Sequence, residues 1–247
     1  MADIILKGRG ISKSFDGIKV LENIDIDIPK GSFTVIMGSS GAGKSTLLYA
    51  LSGMDKPDLG QIEYKGKSIT ELSERQMSKL RSEEFGFIFQ QIHLVSSLTL
   101  FENVTVAGCA RKADTADVIK RTEKLFEKMN LSGVRNKLPS AVSGGEGQRA
   151  AVARAVIKNP GIVFADEPTG ALNRSNTDGV LDLLSGIHNE GQTVLMVTHD
   201  MHCALRGDRI IYLDDGHIKG ELSLGSFVPG DIQRQQRLSD WLAAQGW

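Results

Sequence analysis

Apolar and polar positions along the chain fall into two periods. Residues 22–29, Glu-Asn-Ile-Asp-Ile-Asp-Ile-Pro, put an isoleucine at every second position and close on Pro29, the pattern of a half-buried strand. The first 37 residues as a whole read as strands. Residues 32–38 are a short apolar run closed by Gly38, which suits a buried strand. Over 43–53 the period changes, with Leu47, Leu48 and Leu51 on one helical face. Residues 60–66 read as another short strand. Ser73 followed by Gln76 predicts a capping box for a helix running to about Arg81.

From about Leu100 to Asn159 the pattern is helical, with Val118, Leu125, Phe126 and Met129 near helical spacing. Strand character returns at 161–166 and 193–198. Between these runs, Val180, Leu183, Leu184 and Ile187 keep the i, i+3, i+4, i+7 spacing of an amphipathic helix. The order predicts an α/β core with an inserted helical segment and β-rich ends. At the far end, Leu238, Trp241 and Leu242 follow a polar Arg-Gln-Gln-Arg run, predicting an amphipathic helix that packs on its own domain.

Glycine, with 27 residues, is the unusual feature of the composition, and glycines crowd at 38–43, 144–147 and 216–225. Residues 38–46, Gly-Ser-Ser-Gly-Ala-Gly-Lys-Ser-Thr, fit G-x-x-x-x-G-K-[ST] directly after an apolar strand and before a helix. That context predicts a phosphate loop built from Gly38, Ser39, Ser40, Gly41, Ala42, Gly43, Lys44, Ser45 and Thr46. Glycines let successive N–H groups turn onto phosphate oxygens, and the next helix aims its positive end at the same anion. Lys44 supplies a cation for the β- and γ-phosphates of a nucleotide, and Ser45 a hydroxyl for Mg2+. A buried strand ending in Asp166 and Glu167 is costly unless a cation waits there. Asp166 is therefore expected at the metal's water shell, with Glu167 as base or orienting group for the attacking water.

Residues 142–149 open a helix with Ser143 as N-cap and Glu146 three residues later, a second capping box. Gly144 and Gly145 at this helix start would leave N–H groups open to an anion. One triphosphate needs one phosphate loop, so a second such surface makes sense if it closes over a nucleotide held by another copy.

Together these segments resemble the ATP-binding subunit of ABC transporters over nearly the whole length. Residues 38–46 resemble its Walker A motif, 142–146 its signature and 162–167 its Walker B motif. Gln90 resembles its Q-loop glutamine, His199 its switch histidine and 169–173 its D-loop. Phe15 sits where the family has an aromatic residue stacking on adenine. The resemblance implies an α/β fold: a P-loop NTPase core of ABC type, with an inserted helical subdomain at about 92–158 and an N-terminal antiparallel β subdomain. It makes 1–247 a single ABC ATPase domain with a C-terminal extension at about 222–247. It also implies a head-to-tail homodimer with two ATP in the seam, each between Walker A of one copy and Ser143, Gly144 and Gly145 of the other. Gln90 would reach Mg2+ and lie beside the surface gripping a membrane-spanning permease, while His199 would hold the γ-phosphate and the attacking water. Two positions depart from the pattern: Glu146 replaces the usual glutamine and Asn173 the usual aspartate. The first places an extra carboxylate near the triphosphate unless it points away. The second puts cross-talk between the two sites in doubt.

Residues 80–104 and 165–172 resemble the bacterial subfamily serving macrolide export, lipoprotein release and antimicrobial-peptide resistance, the last being the first expectation. The alternative is an ABC-type ATPase that regulates a cell-wall enzyme or sensor kinase through a membrane partner. DNA-repair and translation ATPases of this fold are disfavoured, lacking here a long coiled coil and a second cassette. A GTPase would want N-K-x-D, and 136–139 lacks the aspartate. Net charge is −1, with 29 Lys+Arg against 30 Asp+Glu, which argues against bulk attraction to nucleic acid or to anionic membrane. Two cysteines suggest no disulfide framework and a reducing compartment. The N-terminal apolar run is too short for a signal peptide, and no stretch reaches spanning length. The expected location is peripheral, at the cytoplasmic face of the bacterial membrane and held there by the permease alone. His199, His202 and Cys203 are close in sequence but lack a second ligand pair, so zinc is not expected.

Overall fold

The computed structural model describes residues 3–109 and 114–247. Strands β1 (Ile4–Phe15) and β2 (Ile18–Pro29) form an antiparallel hairpin joined by β4 (Leu59–Tyr64) and the short β5 (Lys67–Ser68), in the order β2-β1-β4-β5. The run read from sequence as one strand at 60–66 ends instead in a tight turn, where Lys65 and Gly66 take φ of 49° and 73°. A second sheet places β3 (Phe33–Met37) at its centre. Its remaining strands are β6 (Phe85–Ile88), β7 (Ile162–Asp166), β8 (Thr193–Thr198), β9 (Arg209–Asp214) and β10 (His217–Ser223), in the order β10-β9-β3-β8-β7-β6. Its inner pairings are parallel and only β10 runs antiparallel.

The unbroken apolar runs of β3, β7 and β8 have a simple cause. Each strand is buried on both faces, so successive residues enter two different cores. Phe33, Val35, Met37, Val163, Ala165, Val194 and Met196 join a core under the helices. Ile36, Ile162, Phe164, Leu195 and Val197 join another beneath the N-terminal sheet and α1 (Lys44–Leu51).

The helices follow their start signals. Ser73 caps α2 (Glu74–Glu84) with a complete capping box to Gln76. The inserted segment carries α3 (Leu100–Cys109), α4 (Thr115–Lys128) and α5 (Gly144–Val156). Of the 92–158 span expected to be helical, residues 110–113 lie outside the described residues. Asn173 caps α6 (Arg174–Asn189), whose Val180, Leu184 and Ile187 are buried. After the short α7 (Met201–Ala204), the chain ends in α8 (Ile232–Ala244). Leu238 and Leu242 of α8 pack into the core under the helices, and the Trp241 ring meets Tyr212 edge-on, 6.4 Å between centroids. The polar run ahead of them is not simply solvated. Arg234 is buried and donates to the carbonyls of Leu205, Leu224 and Gly225 at 2.8, 3.1 and 2.9 Å. It ties α8 to the loop after β10.

Leu238→Ala should cost about 3 kcal/mol of unfolding free energy, because a fully buried leucine leaves a cavity; urea unfolding measures it. His188 Nε2 lies 3.0 Å from Asp208 Oδ2, and this bond raises the imidazole pKa above its ordinary value against the opposing effect of burial. The contribution of the pair is full below the unfolded histidine pKa and is lost as pH rises through the raised folded one. His188→Gln should therefore lower the unfolding midpoint more at about pH 6 than at about pH 9.

Candidate functional site

The phosphate loop joins the end of β3 to the start of α1. Gly38 is required by close approach, since a Cβ there would meet the Leu213 carbonyl oxygen at 2.1 Å. Gly43 takes φ of 97° at the helix N-cap, a left-handed conformation that a side chain disfavours. Among the described residues, the N–H groups of Gly41, Gly43, Lys44 and Ser45 meet no protein acceptor. Lys44 is folded down, its Nζ donating to the carbonyls of Gly38 and Ser39 at 2.8 Å each. Burial lowers its pKa, and the nearby carboxylates of Glu167 and Asp166 oppose that shift. A cradle of unpaired N–H groups with a cation at its floor fits a polyphosphate.

Asp166 ends β7, buried, and accepts from Ser45 Oγ at 2.8 Å and Tyr49 Oη at 2.5 Å. Burial and the bond to Asp166 raise the pKa of Tyr49. Ser45 and Asp166 thus form an all-oxygen donor set of the kind Mg2+ takes. Glu167 turns sharply, with φ of 44°, unusual for a residue bearing a side chain and costing about 1–2 kcal/mol. The turn swings its carboxylate across to the end of β8. There it accepts from Thr198 Oγ1 and the His199 N–H, each at 3.0 Å, and lies 2.7 Å from His199 Nδ1. The His199 ring stays largely exposed over a cleft of about 480 Å³ that Glu167, Leu172 and Asp200 also line.

The remaining residues singled out from sequence lie around this centre. Gln90 is exposed just beyond β6, and its side-chain amide rests against Gly170. Phe15 is half-exposed at the end of β1, and Lys13 Nζ sits 5.2 Å from its ring centroid. Ser143 and Gly144 are exposed at the start of α5, whereas Gly145 is buried against Asn176. No hydrogen bond among the described residues joins 143–145 to the phosphate loop of the same chain. The Glu146 carboxylate points back at Ser143, accepting its N–H and its hydroxyl at 2.7 Å each. Those two bonds hold its pKa below the usual carboxylate range. The side chain of Asn173 accepts from the Asn176 N–H at 3.0 Å, a cap that needs no charge. His202 and Cys203 diverge, His202 to Asp178 at 2.6 Å and Cys203 to Thr169 Oγ1 at 3.1 Å inside the core.

Three residues escaped the sequence reading. Tyr49 and Thr198 bond the two carboxylates. Gln148 is buried on α5, its Nε2 donating to the carbonyls of Phe89 and Pro168 at 3.1 and 2.7 Å. It links the segments carrying Gln90 and Glu167. A glutamine about one turn into α5, ahead of its run of alanines and valines, was the available signal for it.

A family model described as ABC transporter matches residues 21–170. The macrolide export ATP-binding/permease protein MacB of Mannheimia succiniciproducens is 42% identical over 201 residues, covering 81% of this chain and 31% of that protein. The chain thus spans about a third of the length of such relatives. The uncharacterized ABC transporter ATP-binding protein MJ1508 of Methanocaldococcus jannaschii is 41% identical over 211 residues, covering 85% of this chain and 92% of that one. The dimeric structure of MJ0796, described as a bacterial ABC transporter cassette, superposes with a TM-score of 0.83 at 37% identity. It covers 90% of this chain and 100% of its own. A dimeric post-hydrolysis state of that cassette, bound to ADP and Pi, gives 0.82 at 34% identity with the same coverage.

Tyr49→Phe removes one of two hydroxyls bonded to the Asp166 charge. It should cost the nucleotide-free protein about 1.5–2 kcal/mol in urea unfolding. Saturating Mg–ATP should narrow that gap, because Asp166 then faces a cation.

Proposed function

The chain belongs to the ABC transporter family and is an ATPase of that type, and we propose on that premise that it works as a head-to-tail homodimer around two ATP to drive a membrane-spanning permease. The observation that carries this reading is the separation of two half-sites on one chain. Among the described residues, the cradle at 38–46 and the exposed Ser143–Gly144 helix start share no hydrogen bond. A second copy turned head to tail brings each half-site to the other.

In that assembly the unpaired N–H groups of the loop and the Lys44 ammonium bind the β- and γ-phosphates. Lys44 must first leave the carbonyls of Gly38 and Ser39. Phe15 offers its exposed face to adenine. The Ser45 hydroxyl and the Asp166 carboxylate would hold Mg2+, with Gln90 added as its loop closes. Bound there, Mg2+ supplies positive charge that offsets the charge developing on the phosphates. Glu167 accepts a proton from the attacking water or orients it. Its left-handed turn and the bonds from Thr198 and His199 keep the carboxylate aimed. The exposed His199 ring reaches the γ-phosphate. Ser143 and the N–H groups of Gly144 and Gly145 meet that phosphate from the other copy. Because ATP makes these contacts only in the closed dimer, it shifts the equilibrium toward closure, and hydrolysis reverses the shift.

A surface cleft of about 430 Å³ lined by Met54, Arg81, Phe87, Phe89, His93 and Arg154 adjoins the Gln90 segment. Its stacked Phe87–Phe89 pair and basic rim suit a short helix of the permease. No helix among the described residues is long and apolar enough to cross a membrane. The permease would therefore hold this chain peripherally at the cytoplasmic face of a bacterial membrane. The names of the macrolide export relatives favour export or displacement of macrolides, over lipoproteins and antimicrobial peptides, as the work done. Purifying the complex from its native membrane separates these cargoes from the regulation of a cell-wall enzyme or kinase.

Glu167→Gln should retain ATP, lose about 100-fold or more of turnover, and accumulate as a dimer in light scattering. A variant that stays monomeric at saturating ATP and Mg2+ rejects the sandwich.

A further inference from the structure

The nucleotide cradle sits at the carboxyl ends of the parallel strands. At their amino ends, some five residues and about 17 Å away along each strand, the chain forms another cleft, of about 530 Å³. Nothing in the proposed cycle uses it. Three parts of the fold build it. Lys30 and Lys65 come from the turns beside the N-terminal sheet. Arg121, Lys124 and Lys128 come from one face of α4 in the inserted helical segment. The floor is apolar, with Ile5, Leu125, Val156 and Ile187, and the start of β8 closes the back at Thr193.

Its charge is lopsided. Five cations face one carboxylate, Glu190, in a chain whose net charge is −1. Lys128 is paired with Glu190, and Lys65 with Glu84 at 2.6 Å. Among the described residues, Lys30, Arg121 and Lys124 have no ion pair. The Arg121 Nε is fully buried and meets no acceptor. Arg121 as a whole is only half-buried, so its terminal N–H groups, with the exposed Lys30 and Lys124, can grip an anion seated in the cleft. The volume falls in the range of small-molecule sites, and an apolar floor under a cationic rim suits an organic phosphate.

We propose that this cleft is a second anion site, for a small phosphate-bearing molecule, separate from the cradle at 38–46. Because α4 supplies one wall and the sheet the other, an occupant ties the inserted helical segment to the core. The site then acts on the cycle by restraining that segment, without touching the reacting phosphate.

The test uses the full chain with ADP as probe and no added metal. Lys44→Ala weakens the cradle and serves as background. In it, ADP binding measured by calorimetry should persist, and should weaken about tenfold or more when Arg121→Gln and Lys124→Gln are added. Hydrogen exchange supplies the second readout. ADP should slow exchange at 115–128 in the native chain. In the Arg121→Gln/Lys124→Gln chain that slowing should vanish while protection at the phosphate loop remains, which also shows that the variant is folded. Displacement of ADP from the Lys44→Ala chain by pyrophosphate supports a site reading phosphate alone; failure to displace supports a nucleotide with its base on the floor. The proposal is overturned by absence of ADP binding to Lys44→Ala, by an affinity unmoved by the two added changes, or by protection of 115–128 that survives them.

Discussion

A carboxylate at the end of a strand buried on both faces has to find donors, and much of this site follows from how Asp166 finds them. Ser45 and Tyr49 come to it from the first two turns of α1, so the helix that begins the phosphate loop is bonded to the strand that ends in the acid pair. That bonding fixes the loop over the sheet and leaves its N–H groups facing outward, unspent. The same economy governs Lys44, held by two carbonyls until a better partner arrives. Glu167, one residue on, escapes the strand direction only by adopting a left-handed turn, and the end of β8 receives it.

Half of the larger sheet, β3, β7 and β8, was legible because burial on both faces leaves a plain trace, an unbroken apolar run. The two capping boxes were legible because serine and an acceptor three residues on satisfy one another locally. The phosphate loop was legible because its spacing encodes backbone geometry directly. What stayed hidden depended on partners distant in sequence. Tyr49 carried no signal of its own within the helix read over 43–53, yet its hydroxyl bonds a residue more than a hundred positions on. Gln148 read as part of a helix start, although its side chain joins two loops through their carbonyls. Arg234 read only as part of a polar run, although on α8 it is buried among carbonyls that no sequence pattern reveals. Polar residues chosen for a tertiary partner look the same in one dimension as polar residues chosen for water.

The departures from the family pattern are also local matters. Glu146 could have set a charge against the triphosphate; instead its carboxylate is engaged with Ser143, as Gln76 is with Ser73 in α2. Its negative charge remains beside the serine, but its oxygen atoms already have partners. Asn173 keeps the helix-capping geometry that an aspartate would give, so the neighbouring turn is preserved while a charge is lost.

The two thiols differ sharply in circumstance. Cys203 is sealed in the core against Thr169, and burial pushes its pKa up to about 11, whereas Cys109 stands exposed at the end of α3 in the inserted helical segment. Thiolate is the reacting form, so a maleimide dye added to the folded chain reaches a single address. The native sequence thereby carries its own attachment point for a fluorophore or spin label on the inserted helical segment, with no cysteine to be removed first.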